Sequence, residues 1–298
     1  MERRERSSSE KRRPAWGRAF LRPGAWVLAL VVPAGCADRQ QLQSAPPAGV
    51  VQPAPAMRIV DLGRSTQGRS LTLYVFGEVP PRPTEPGPAR ARESLAPVLI
   101  IGGIHGSEPT GAEVAARLAE FLRAHPDQRM GRTVAVLPQA NPDGLARGTR
   151  GNANGVDVNR NFPARNWRKT PAGESHGGPA PASEAETRAV IRAVEMLRPG
   201  AIVSVHSIST NEPCNNYDGP AAELANLMAE RNGYPVKASI GYPTPGSFGS
   251  WAGVDRQIQV ITLEFPRSLR GAQCWEQNRA ALLTAVAGDR LPRLPLGK

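Results

Sequence analysis

The sequence predicts a single α/β domain, a sheet covered by helices on both faces. Short apolar runs alternate with segments of helical periodicity from residue 71 to residue 287, the pattern of strands linked by covering helices. No stretch repeats another, and only 34 residues follow Glu264, room for one helix and a tail but no second domain. The 298 residues are 40% hydrophobic, enough for a sizeable core, while 30 Gly and 30 Pro demand many loops.

The elements follow in order. Residues 71–76 (LTLYVF) read as a strand, and the Pro-rich stretch 80–97 as a loop. Residues 98–101 (VLII) form a continuous apolar run, as a buried strand requires. In 112–123, Val114, Ala115, Leu118, Phe121 and Leu122 share one side of a helix. Residues 133–137 (TVAVL) are another buried strand. The stretch 138–182 has almost no periodicity and many Gly, Asn and Pro; a loop this long in a compact domain is functional. Ser183 reads as an N-cap, with Glu186 completing a capping box for a helix to Leu197. Strands at 201–205, 234–240 and 257–263 and helices at 221–231 and 273–287 complete the domain.

The N-terminus reads as an export signal. Eight Lys/Arg precede or flank the short apolar run 25–32 (AWVLALVV), which ends at Pro33-Ala34-Gly35-Cys36. That run is far shorter than the ~20 residues of a membrane span. Residues 37–56, rich in Ala, Pro and Gln, read as a flexible tether. The expected organisation is a signal over 1–36, the tether over 37–56, a catalytic domain over 57–290 and a tail over 291–298.

The net charge of +11 does not signal nucleic acid. Residues 1–36 contribute +5 of it, the other +6 is spread through the chain, and no basic stripe is interleaved with aromatics. The three cysteines, Cys36, Cys214 and Cys274, make no CxxC pair, so a thiolate zinc site is not indicated.

The chemistry concentrates at strand ends, where open α/β sheets place their sites. His105 and Glu108 follow the strand 98–101, His206 follows 201–205, and Glu264 closes 257–263. Two imidazoles and a carboxylate are a catalytic zinc ligand set with one position left open. His125 and His176, the other two histidines, have no strand-end placement and read as a solvated helix-end residue and a loop residue.

Taken with Asn141-Pro142-Asp143-Gly144 and Asp157-Val158-Asn159-Arg160-Asn161, these segments resemble the zinc carboxypeptidase family. Residues 150–163 (RGNANGVDVNRNFP) and 241–251 (GYPTPGSFGSW) resemble its murein peptide amidases, which cut the γ-D-glutamyl–meso-diaminopimelate bond of cell-wall peptides. The resemblance spans about residues 60–285. It implies a mixed, mostly parallel central sheet and one zinc per chain, held by His105, Glu108 and His206. It implies Glu264 as general base, Arg150 facing the oxyanion, with Arg147 three residues earlier, and Asp157 orienting His105. It implies Asn159 and Arg160 gripping the substrate carboxylate and Tyr242 as a mobile residue near the scissile bond. The small residues before Cys36 resemble a lipoprotein signal, departing from it at Pro33, and imply lipidation of Cys36, a membrane anchor and a periplasmic enzyme with a murein peptide as partner. General carboxypeptidase, N-acyl amino-acid deacylase and non-catalytic murein-binding lipoprotein are the alternatives. Export would permit a Cys214–Cys274 disulfide; two small buried thiols are the plainer reading.

Overall fold

The computed structural model describes residues 57–79, 96–208, 212–238 and 241–288. The export signal, Cys36 and the tether lie outside these residues, as does nearly all of the Pro-rich loop. The strands are β1 (Arg58–Arg64), β2 (Ser70–Phe76), β3 (Val98–Gly102), β4 (Val134–Leu137), β5 (Ala201–Ile208), β6 (Cys214–Asp218), β7 (Val236–Lys237) and β8 (Gln259–Pro266). The helices are α1 (Pro109–Ala124), α2 (Pro142–Arg147), α3 (Ala185–Leu197), α4 (Ala222–Asn232) and α5 (Gly271–Ala287). Among the described residues the eight strands make one sheet in the order β1-β2-β4-β3-β5-β8-β6-β7. Its middle, β4-β3-β5-β8, is parallel. Antiparallel pairs lie outside it, β1 with β2, β2 with β4, and β6 with β8.

The two-residue period of a strand sends alternate side chains to opposite faces. Val98, Ile100, Val203, Val205, Ile261 and Leu263 pack on one face, against Val114 and Leu118 of α1, Met228 of α4 and Leu282 of α5. Leu99, Ile101, Ile202 and Val260 pack on the other, against Val190 and Val194 of α3, Phe162 and Trp251. Both faces are covered, as the alternation predicted. The same parity puts Ser204 and His206 on the Ile202 face, and Thr262 and Glu264 on the Val260 face.

Several local expectations differ from the structure. The capping box at Ser183 does not form. Helix α3 starts at Ala185; Ser183 Oγ donates to Glu184 Oε1 (2.7 Å), and Glu186 accepts instead from Asn152 Nδ2 (2.9 Å). Asn161 Oδ1 takes the Glu184 N–H (3.1 Å), so polar partners from a distant loop replace the local cap. The loop 138–182 contains α2, whose N-cap Asn141 accepts the Gly144 N–H (2.9 Å), with Pro142 at the first helical position. Strand 234–240 contracts to two described strand residues, and residues 239–240 lie outside the described set. Strands β1 and β6 were not foreseen, because RIVDLGR and CNNYD are too polar to show a buried pattern. Cys214 and Cys274 are buried free thiols with no bond between them. Burial pushes each up to about 11, aided by the charges of Glu264 and Glu113 respectively.

Candidate active site

The turn from β3 into α1 delivers the first two ligands. Gly103 there takes a left-handed conformation (φ 65°). Gly106 touches the start of α2 so closely that a Cβ would lie 1.9 Å from the Gly144 backbone, so only glycine permits the approach. Pro109 opens α1 directly after Glu108, and the Glu108 carboxylate turns away from the helix into the site, where Oε2 accepts the Ser207 N–H at 3.0 Å.

His105, Glu108 and His206 are all buried, and one donor atom from each lies within 4.8 Å of the others. His105 Nδ1 is 2.9 Å from Glu108 Oε1 and 3.2 Å from His206 Nδ1, which is itself 3.1 Å from Glu108 Oε2. The outer nitrogens are occupied elsewhere. His105 Nε2 donates to Asp157 Oδ1 (3.0 Å), and His206 Nε2 contacts Ser204 Oγ (3.0 Å). Lone pairs of two imidazoles and a carboxylate therefore converge on one point, an arrangement that only a cation between them stabilises. Without a metal that cation is a proton. Burial pushes His105 down, but Glu108 and Asp157 override it and raise the imidazole to about 9. Burial alone would raise Glu108; the two histidines hold it well below the carboxylate range. The donor set fits zinc, which takes His and carboxylate ligands and keeps an open position when catalytic.

Asp157 is wholly buried and links the triad to the next charge. Its Oδ2 pairs with Arg150 Nε (3.0 Å) and Nη2 (2.9 Å), and Arg150 Nη1 reaches Glu108 Oε1 at 3.5 Å. Arg147 instead donates to the Asn152 and Ala153 carbonyls, and of the two arginines it is Arg150 that lines the cavity. Asn159 Oδ1 accepts the Phe248 N–H (2.8 Å), leaving Nδ2 for the cavity, and buried Arg160 donates through Nη1 to the Asn159 carbonyl (2.7 Å).

A cavity of about 190 Å3 joins these groups. His105, Glu108, His206, Glu264, Arg150, Asn159, Arg160 and Tyr242 all line it, and Tyr242 is 55% exposed. Glu264 lies opposite His206 in the parallel register of β5 and β8. Burial raises its pKa, and Glu108 pushes the same way against the pull of His206, His105 and Arg150. The cavity thus brings together every sequence-predicted site residue within the described set except Asp157, which stands behind His105.

Asn216, Asp218 and Arg267 are among the lining residues that sequence reasoning missed. Asn216 and Asp218 sit two apart on β6, so both face the cavity; Asn216 Oδ1 is buried without a partner, and burial raises Asp218. Arg267 follows β8, with Nη2 3.9 Å from Glu108 Oε1. Alternation within NNYD was the available signal, but only the pairing of β6 with β8 gives it meaning.

The zinc carboxypeptidase family model matches residues 52–211. Murein peptide amidase A of Escherichia coli (strain K12) is 37% identical over 198 residues, 61% of this chain and 74% of that protein. Carboxypeptidase N catalytic chain of Rattus norvegicus is 34% identical over 295 residues, 76% of this chain and 63% of its own length. The crystal structure of a murein-tripeptide amidase from Escherichia coli O157 superposes with a TM-score of 0.60 at 33% identity, covering 78% of this chain and 93% of that one. Bovine thrombin-activatable fibrinolysis inhibitor shares the fold at a TM-score of 0.61 and 17% identity, over 78% of this chain and 88% of its own. The protein is a hydrolase with zinc as its cofactor and His105, Glu108 and His206 as the candidate metal site, and the chain belongs to the zinc carboxypeptidase family.

Proposed function

We propose that this hydrolase cleaves the amide between the γ-carboxyl of D-glutamate and meso-diaminopimelate in murein peptides. One observation carries the reading: a single cavity offers the metal triad, an anion grip at Asn159 and Arg160, and a carboxylate, Asp218. Diaminopimelate presents the matching pair, a carboxylate beside the released nitrogen and an ammonium at the far end of its side chain. The murein peptide amidases among the relatives support the same substrate class.

The residues divide the work by position. Asp157 holds the proton on His105 Nε2, which would leave the Nδ1 lone pair free to hold zinc, a common device for fixing an imidazole ligand. Zinc, when bound, polarises the scissile carbonyl and lowers the pKa of water toward ~7. Arg160 and Asn159 Nδ2 take the carboxylate of the departing residue. Glu264 accepts a proton from the attacking water on a carboxylate oxygen and passes it to the leaving nitrogen; a raised pKa suits both transfers near neutral pH. Arg150, held in place by Asp157, faces the oxygen on which negative charge develops. Tyr242 at the mouth closes over bound substrate and excludes water.

We place the enzyme outside the inner membrane, exported by residues 1–36, anchored through lipidated Cys36 and held off the surface by residues 37–56. A single acyl chain anchors weakly, so stable attachment requires the several chains of a lipoprotein cysteine. Cys36→Ala is expected to move the protein from the membrane fraction to the soluble periplasm, and a wild-type protein already soluble there refutes lipidation.

Mass spectrometry of the products from L-Ala-γ-D-Glu-meso-diaminopimelate tests the function: release of free diaminopimelate is expected. Asp218 also suits the lysine end of an ordinary peptide. Release of C-terminal lysine from an α-linked peptide, with the murein tripeptide left intact, would establish a general carboxypeptidase instead.

A further inference from the structure

We infer that Arg267 determines specificity on the acyl side by gripping the free α-carboxylate of a γ-linked glutamate, an inference that rests on the γ-D-glutamyl reading above. Arg267 lies just past β8, three residues beyond Glu264. Its Nη2 stands 3.9 Å from Glu108 Oε1, the same oxygen that Arg150 Nη1 approaches to 3.5 Å. Two guanidinium groups therefore flank one metal-facing carboxylate, but their commitments differ. Arg150 is tied to buried Asp157 at 2.9 and 3.0 Å. Among the described residues, Glu108 at 3.9 Å is the one acidic group within ion-pair distance of Arg267, whose side chain is 48% exposed. Its charge is the less neutralised of the two.

Arg267 also stands where three cavities meet. It lines the metal cavity and a hollow of about 680 Å3 that shares Arg150, Arg160 and Tyr242 with it. It lines a third, of about 380 Å3, together with Ser107, Ser207, Arg270 and the acids Glu108 and Glu113. In the larger hollow three arginines face one acid, Glu174. The leaving residue already has its partners in Asn159, Arg160 and Asp218 and the oxyanion has Arg150, so of the three arginines around the larger hollow Arg267 is left for the acyl side. An ordinary α-peptide brings neutral backbone there. A γ-glutamyl amide brings an anion, its α-carboxylate about 5 Å from the scissile carbon along an extended side chain. A guanidinium fork matches that carboxylate in shape and charge.

The test compares L-Ala-γ-D-Glu-meso-diaminopimelate with the same tripeptide carrying D-isoglutamine, in which the α-carboxylate is an amide. On the zinc-loaded enzyme, kcat/KM is expected to fall about ten- to a hundredfold from the first to the second, the range for losing one charge-assisted hydrogen bond. Arg267→Ala is expected to lose the same factor on the glutamate peptide and almost nothing on the isoglutamine peptide; Arg267→Lys recovers part of it. Calorimetric binding of both peptides to metal-free protein, where no turnover occurs, should show the same pattern in Kd. Equal losses on both peptides, or a preference that survives Arg267→Ala, would overturn the role of Arg267. Cleavage of both peptides with no preference in wild type overturns it too, while leaving the murein reading intact. Cleavage of neither by wild type removes the murein reading, and this inference with it.

Discussion

Glu264 stands directly beside His206, its register partner across the parallel strands β5 and β8, with both side chains on the same face of the sheet. A slip of one residue would turn Glu264 into the opposite core, so the packing of VITLEF on both sides also fixes the direction of its carboxylate. Glu264→Gln keeps the shape and the neighbours but cannot take a proton. We expect zinc content and KM close to wild type, and kcat lower by about a hundred- to ten-thousandfold. Turnover near the wild-type rate would remove Glu264 from the role of base.

Zinc content separates ligands from the group that orients them. His105→Ala and His206→Ala are expected to lose most of the metal after dialysis, read by elemental analysis. Asp157→Asn leaves all three donors in place but weakens the hold on the His105 tautomer, and should lower zinc affinity about ten- to a hundredfold. Retention of full zinc by both histidine variants would sink the assignment of the site.

Arg150 and Arg160 line the same cavity with different commitments, and steady-state kinetics should tell them apart. On the proposed mechanism Arg160→Ala removes a contact made before the transition state, and KM is expected to rise with little change in kcat. On the same mechanism Arg150→Ala removes charge facing the developing oxyanion, and kcat is expected to fall by about a hundredfold or more. A pure kcat loss at Arg160 would exchange the two roles.

Gly249 opens the π-helical turn Gly249–Val254 and lies against Asp218. A Cβ there would stand 2.1 Å from Asp218 Oδ2, and one on Gly253 would stand 2.5 Å from the Asp218 Cβ. These two glycines make room for the Asp218 side chain that lines the cavity. Gly249→Ala must displace it, at a cost of about 1–3 kcal/mol, and should raise KM for the diaminopimelate peptide. Unchanged KM together with an unchanged melting temperature would show that Asp218 is not held by this turn.

Asp143 braces the β1–β2 turn from the start of α2. It is fully buried and takes Ser65 Oγ (2.8 Å), the Gln67 N–H (2.9 Å) and Arg69 Nη1 (2.6 Å). Burial alone would raise its pKa, but these three donors override it and hold it below the usual carboxylate value. A lowered folded pKa stabilises the protein fully above the unfolded value, near ~4, and that contribution is lost as pH falls through the folded value. Asp143→Asn is therefore expected to cost about 1–3 kcal/mol at pH 7 and progressively less in acid. Denaturant unfolding of the zinc-free protein at pH 7 and pH 3 measures this, and a gap between variant and wild type that does not narrow in acid would contradict it.

Strand periodicity, helix periodicity and strand-end placement are local properties of the chain, and they determined the α/β class, the two-faced sheet and the positions of His105, Glu108, His206 and Glu264. Each of those residues follows or closes an apolar run, so its place at a strand end is legible from the run itself. Asn216, Asp218 and Arg267 carry no such signature, because their meaning depends on β6 entering antiparallel beside β8 and on three cavities meeting at one turn. The same distinction explains the lost capping box: Ser183 and Glu186 have the right spacing, but Asn152 and Asn161, distant in sequence, supply better-placed partners. Cys214 and Cys274 remain separate buried thiols for a related reason, since following neighbouring strands does not bring two side chains within bonding reach. Local pattern sets which residues stand at strand ends; register and the order of strands in the sheet, both non-local, decide which way each side chain points and what it meets there.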